Sequence, residues 1–350
     1  MYSVCYQYEL IFEEKQEQYQ DQDQHQPQEI EHYHDIEINT VPYFVSCPSY
    51  TIREIRQEYN VPIKSFHQPT RKKRYGKEII HIASLHPHPD FYFTSDCCQL
   101  NMTDHFSQDC ITDAVGINGV FFDFKTDYYP IGPYKQHDME TYRPIPNGPI
   151  ENMSIYEPFF RAITIKDGTL SIDRRSLKEV WEDRSSFSHI MAAGPLLIDN
   201  GKNMITDQLL KTMYNGIPIF QCDKPTEEES KKDMTLVKRN HRTLLSCDRL
   251  PGELFHLANT NPRSAIAIST SGIVSFICVA GRLHGTLGMD ANRLAQVILD
   301  HLPDTYMALN IDGGASSNMI HKKDSKLYQS PQRVTLDRYK VGNIISFQKK

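Results

Sequence analysis

Asp312 is the residue of this chain best placed to do chemistry. It ends the apolar run of MALNIDGGASSNM and is followed at once by Gly313, Gly314, Ala315, Ser316 and Ser317. A buried strand that delivers an acid to its tip and then turns through small residues leaves room for a ligand. Glycines permit positive φ, and successive N–H groups in such a turn can form an anion-binding nest. An acid beside an anion cradle is the pattern of a site, although an isolated Asp-Gly-Gly is also an ordinary glycine turn.

Three further segments carry chemistry-bearing residues. In VGINGVFFD an apolar stretch runs into Asn118-Gly119, then two aromatics and Asp123; Asn-Gly by itself reads as a hairpin turn. In HIMAAGPLLIDNGK the residues Ala192, Ala193 and Gly194 expose backbone. Leu196 to Ile198 follow as a strand closed by an Asp199-Asn200-Gly201 turn. In NPRSAIAIS, Arg263 stands at the mouth of a short apolar strand, a position where arginine is usually solvated or ion-paired.

The elements that must hold these residues are partly visible. Asp290 can N-cap a helix whose apolar positions Leu294, Val297, Ile298 and Leu302 share one face, with Pro303 at its end. Met307 to Ile311 then reads as a strand. Further strands are expected at Glu78 to Ala83, Ala162 to Ile165, Leu196 to Ile198, Ala265 to Ile268 and Ile273 to Ala280. A helix leading into a strand, among many strands, predicts an α+β or mixed α/β fold: a central mixed sheet with flanking helices, the site lying where strand ends converge. Residues 1–40 are polar and glutamine-rich and are expected to be disordered. Residues 41–94 read as an N-terminal extension, residues 95–350 as the main domain, and the polar stretch 224–242 as an insertion within it.

The chain has 350 residues, 39% hydrophobic and 23% charged, with a net charge of −6. That is a globular composition, and its sign argues against binding nucleic acid through overall charge. The single basic cluster, Arg71 to Arg74, reads as a solvated loop. No apolar run approaches the ~20 residues of a membrane span, and the N-terminus shows no ordinary secretory signal. Eight cysteines form no CxxC pair, so free thiols are preferred over a Cys222–Cys247 disulfide. His81, His86 and His88, and His32 with His34, lack companions at metal-ligand spacing, so no metal and no other cofactor is expected.

In their order along the chain, five segments resemble the phosphodiester glycosidase domain family. They are Asn118-Gly119-Val120-Phe121-Phe122, Pro130-Ile131-Gly132, Ala192-Ala193-Gly194-Pro195-Leu196-Leu197, Arg263-Ser264-Ala265-Ile266, and Asn310-Ile311-Asp312-Gly313-Gly314-Ala315-Ser316-Ser317. The resemblance covers residues 95–322. Val120, Ala267 and Ala315 stand where the family usually has glycine, and Asp290 where it often has threonine. The β-branched Val120 is expected to strain its backbone and narrow the substrate pocket.

The resemblance implies a hydrolase acting on a sugar joined through its anomeric carbon to a phosphodiester. Arg263 would bind the phosphate, and Asp312 would act as nucleophile or as the base that activates water. Asn118 would hold a sugar hydroxyl or the attacking water. Gly119, Gly194, Gly313, Gly314, Ser316 and Ser317 would contact substrate, with Asp123 as a reserve carboxylate. The expected partner is therefore a sugar-phosphodiester or glycan; the sequence names no protein partner. Two other readings stay open: a sugar-phosphate or polysaccharide binding protein without turnover, and a scaffold that meets a partner through its polar segments.

Overall fold

Runs rich in Ile, Val, Phe and Tyr, broken by Gly, Pro and Asp, make this a strand-dominated chain. The computed structural model describes residues 44–59, 76–97, 101–122, 128–143, 160–205, 260–281, 286, 288–323, 326–330 and 340–350. All of these lie in one unit, Tyr43–Lys350. The expected polar segments 1–40 and 224–242 fall outside the described residues, as do Asp123 and the basic cluster at 71–74.

In chain order the first strands are β1 (Phe44–Ser46), β2 (Tyr50–Tyr59), β3 (Gly76–Leu85) and β4 (Phe91–Asp96). Helix α1 (Met102–Phe106) precedes β5 (Ala114–Asn118), β6 (Gly132–Gln136), β7 (Met139–Arg143), β8 (Arg161–Lys166) and β9 (Thr169–Ile172). Helix α2 (Leu177–Glu182) leads to β10 (His189–Ala193), β11 (Leu196–Asp199), β12 (Lys202–Asn203), β13 (Arg263–Ser269) and β14 (Val274–Val279). Helix α3 (Ala291–His301) is followed by β15 (Thr305–Asn310), β16 (Met319–Lys323), β17 (Lys326–Ser330) and β18 (Ile344–Lys349).

These strands form three sheets. The largest has the order β1-β2-β3-β14-β13-β15-β11-β12, and two five-stranded sheets run β7-β6-β10-β8-β9 and β17-β16-β5-β18-β4. Every strand pairing among the described residues is antiparallel. The expected α+β architecture with a central mixed sheet is therefore incorrect: the fold is predominantly β. The strand–helix–strand pattern that prompted it is real, since α3 joins β14 to β15. What sequence did not reveal is that β13 lies between those two strands and pairs antiparallel with both. The extension at 41–94 is built into the same sheet, with β3 paired to β14.

Alternation along β13 divides the core. Ala265 and Ala267 face one cluster with Ile80, Ile82, Ile277 and Val279, on which α3 lays Leu294, Val297 and Ile298. Ile266 faces the opposite cluster, where Phe276, Leu309, Ile117, Ile163 and Phe347 draw residues from all three sheets together. Each such buried aliphatic or aromatic side chain contributes about 1.5–3 kcal/mol. Helix α3 begins as expected, with the Asp290 side chain accepting from the Arg293 N–H at 2.8 Å. Among the described residues no helix is long and apolar enough to cross a membrane.

Candidate functional site

Apart from the Arg263 segment, the motif segments sit where the chain passes from one sheet to another. Asn118 ends β5, Gly194 and Pro195 link β10 to β11, Arg263 opens β13, and Asp312 to Asn318 join β15 to β16. Across the β13–β15 ladder Ala265 faces Asn310 and Ile266 faces Leu309. Continued by two residues, that register sets Arg263 opposite Asp312, and the Ile311 N–H donating to the Ser264 carbonyl at 3.0 Å shows that the pairing persists. Directly opposed residues have Cβ atoms about 4.5–5.5 Å apart.

Asn118 is the hub of this seam. Its Oδ1 accepts from Ser264 Oγ at 2.7 Å and from the Asn318 N–H at 3.1 Å, while Nδ2 donates to the Asp312 carbonyl at 2.7 Å. The residue is wholly buried, so its amide fixes β5, β13 and the Asp312 turn to one another rather than presenting itself to a ligand. The Asp312 N–H adds a bond to the Gly119 carbonyl at 3.1 Å. Gly119 and Val120 are held in turn by Asn343, whose backbone carbonyl accepts from Gly119 N and whose Oδ1 accepts from Val120 N, both at 2.8 Å.

Gly119 does not close a hairpin. Strand β5 pairs with β16 and β18, and Gly119 is small because a Cβ there would lie 2.1 Å from Asn343 Oδ1. The side chain of Val120 is buried in the common core, and its φ is not positive. It does not strain the chain as expected.

Asp312 is half-buried, with Oδ1 accepting from its neighbour Gly313 N–H at 2.9 Å. Gly314 has φ +64°, the left-handed region glycine favours. Its N–H donates to the Pro262 carbonyl at 2.9 Å, and a Cβ on Gly313 would stand 3.0 Å from the same oxygen. The N–H groups of Ser316 and Ser317 donate to Gly313 and Gly314 within a short 3-10 turn. Most of the expected nest is thus engaged within the protein. Arg263 is buried, its Nε donating to the Met289 carbonyl at 2.9 Å. Met289 is bridged to Asn261 just before β13. Gly194 lies on the inner side of the seam, its carbonyl accepting from Asn310 Nδ2 at 3.0 Å.

Several buried polar side-chain atoms here have no hydrogen-bond partner: Ser317 Oγ, Asn310 Oδ1, Asn318 Oδ1 and Asn343 Nδ2. Such atoms are uncommon in folded proteins and cost about 1–3 kcal/mol each unless something completes them. Asn343 is the functional candidate that sequence reasoning missed. Its signal was the Gly342-Asn343 pair opening the apolar run of β18. Asp123 lies outside the described residues.

Among curated proteins no sequence match is found. Among solved structures, the fold is similar to the zebrafish N-acetylglucosamine-1-phosphodiester alpha-N-acetylglucosaminidase catalytic domain auto-inhibited by pro-peptide. The TM-score is 0.53 at 15% identity, covering 85% of this chain and 84% of that one. A hypothetical protein from Synechocystis is similar at a TM-score of 0.49 and 15% identity, over 89% of this chain and 64% of that one. At such identity the first of these likenesses speaks for the fold alone. The sequence profile of the phosphodiester glycosidase family matches residues 112–348, well over half of the chain and every segment of the seam, and the chain belongs to that family.

Proposed function

We propose that this protein hydrolyses the glycosidic bond of a sugar 1-phosphodiester, with Arg263 binding the phosphate and Asp312 acting at the anomeric carbon. The observation that supports this reading is the β13–β15 register, which pairs Ala265 with Asn310 and, carried two residues further, sets Arg263 across from Asp312. A guanidinium presents a planar fork that matches two phosphate oxygens and keeps its charge at any working pH. A carboxylate across the ladder is within a side chain's reach of the carbon that the same phosphate leaves.

The reaction breaks the bond between the anomeric carbon and the phosphodiester oxygen. That oxygen departs with the bonding pair as a phosphomonoester, and water supplies the new hydroxyl on the sugar. Asp312 serves either as the base that takes the proton of this water or as the nucleophile whose glycosyl ester water then cleaves; both routes pass through an oxocarbenium-like state that its charge stabilises. A phosphate leaving group needs little protonation, so one carboxylate and one arginine form a sufficient minimum. Asn118 acts here as a positioning residue. Gly313, Gly314, Ser316 and Ser317 shape the wall beside Asp312, with Gly119 and Gly194 giving the backbone its close approaches.

The ordinary backbone of Val120, buried in the core, supports this reading over a binding protein without turnover, because the exchange of glycine for valine leaves no strained φ there. Sugar release from UDP-sugars and synthetic sugar 1-phosphodiesters tests the proposal, comparing wild type with Asp312→Asn and Arg263→Lys. Release by wild type that Asp312→Asn abolishes while folding is retained is the expected result. Full turnover by Asp312→Asn, or saturable binding by wild type without any release, would overturn it.

A further inference from the structure

The far end of the large sheet carries a cavity of about 360 Å³, at the low end of the range for small-molecule sites. It is remote from the seam. Arg263 is the first residue of β13 and Ser269, which lines the cavity, is the last, so roughly 20 Å of strand separates them.

The sheet changes character where α3 ends. One row of cross-strand neighbours, Arg53, Ile82, Ile277 and Ala265, crosses β2, β3, β14 and β13. The last three pack in the core beneath α3. The next row outward is Thr51, Ser84, Ser275 and Ala267. Here the aliphatics of β3 and β14 give way to hydroxyls, and all four residues line the cavity. Ser84 and Ser275 are within 3.3 Å of each other, and Ser275 is buried. Neighbouring strands lie about 5 Å apart, so the row offers hydroxyls over the width of a pyranose ring. Ile273 and Leu302 give the cavity an apolar side against which the C–H face of such a ring can rest.

Arg53 supplies the charge. It is half-buried and lines the cavity, and one Nη donates to the His301 carbonyl at the end of α3 at 2.5 Å. Among the described residues no carboxylate lies within ion-pair distance of it. A partly buried guanidinium is normally paired with an anion, and this one lines the same cavity as the hydroxyl row. Asp304, exposed at the rim, disfavours a polyanion.

We infer that this cavity is a second binding site, for a sugar residue bearing one anionic group, with Arg53 on the anion and Thr51, Ser84 and Ser275 on the ring hydroxyls. The site is independent of the hydrolysis proposed above. Calorimetric titration of the full chain with glucuronate, glucose 6-phosphate, glucose and inorganic phosphate tests it. The expected result is saturable binding of at least one anionic sugar, about tenfold or more tighter than glucose or phosphate, since a hydrogen bond to a charged group contributes that much. Arg53→Gln should erase the preference, Thr51→Val should weaken binding without touching the α3 contact, and Asp312→Asn should leave it unchanged. Absence of saturable binding, equal affinity for glucose, or loss in Asp312→Asn with retention in Arg53→Gln and Thr51→Val would each overturn it.

Discussion

Replacing Gly119 by alanine tests whether the seam is assembled as described. The new Cβ would stand 2.1 Å from Asn343 Oδ1, 2.4 Å from its Cγ and 2.7 Å from its Nδ2. Asn343 is wholly buried and its Oδ1 holds the Val120 N–H, so the amide has no open space to swing into. Moving it orphans that N–H, at about 1–3 kcal/mol, and overpacks the surroundings, at about another 1–3 kcal/mol. The φ of Gly119 is not positive, so no backbone strain is added, and the lost freedom of the unfolded chain returns about 0.4–1 kcal/mol. The net is a destabilisation of about 1–5.6 kcal/mol, read as a lowered midpoint in urea unfolding. Asn343→Gly removes the obstruction, so Gly119→Ala should cost less than about 1 kcal/mol in that background, a coupling that a double-mutant cycle measures. A Gly119→Ala protein within about 0.5 kcal/mol of wild type, or strictly additive substitutions, would refute the reasoning.

Two other expectations concern stability. Burial holds His81, His189 and His321 down to about 4, whereas the unfolded chain takes up these protons near 6.5. The unfolded state therefore binds more protons between pH 6.5 and 4, and stability falls as pH drops through that window by roughly 1 kcal/mol per unit for each histidine. Urea unfolding at pH 7 and pH 5 measures this, and equal stability at both would contradict it. At the start of α3, Asp290→Ala should cost about 1 kcal/mol while Asp290→Asn, which keeps the capping oxygen, should cost a few tenths; equal losses would show that the cap is not what Asp290 contributes.

Much of the fold was legible wherever a local rule acts alone. Helix α3 announced itself by its cap and apolar spacing. The Asp199–Lys202 hairpin did so by Asn200 and Gly201, which both take positive φ between paired strands. Strand order was not legible, because β15 pairs with β13 and not with β14, and a pairing between distant segments leaves no trace in local periodicity. The same holds for Asn118-Gly119. Its residues promise a tight turn, yet the glycine answers to Asn343, over two hundred residues away in sequence. The opposition of Arg263 and Asp312 was equally hidden until register was known.

The same geometry explains why small departures from the family pattern are tolerated. A glycine is required where φ is left-handed or where another backbone lies too close for a Cβ. In the turn after β15 those positions are Gly314, at φ +64°, and Gly313, whose Cβ would crowd the Pro262 carbonyl at 3.0 Å; both are retained. The replacements fall elsewhere. Ala267 packs at the edge of the core and lines the cavity at the far end of the sheet, Val120 is packed in the common core, and Ala315 has no positive φ. Each added Cβ is accommodated by core packing or by an ordinary backbone conformation. The departures therefore alter packing while Gly313 and Gly314, which the turn after Asp312 requires, stay in place.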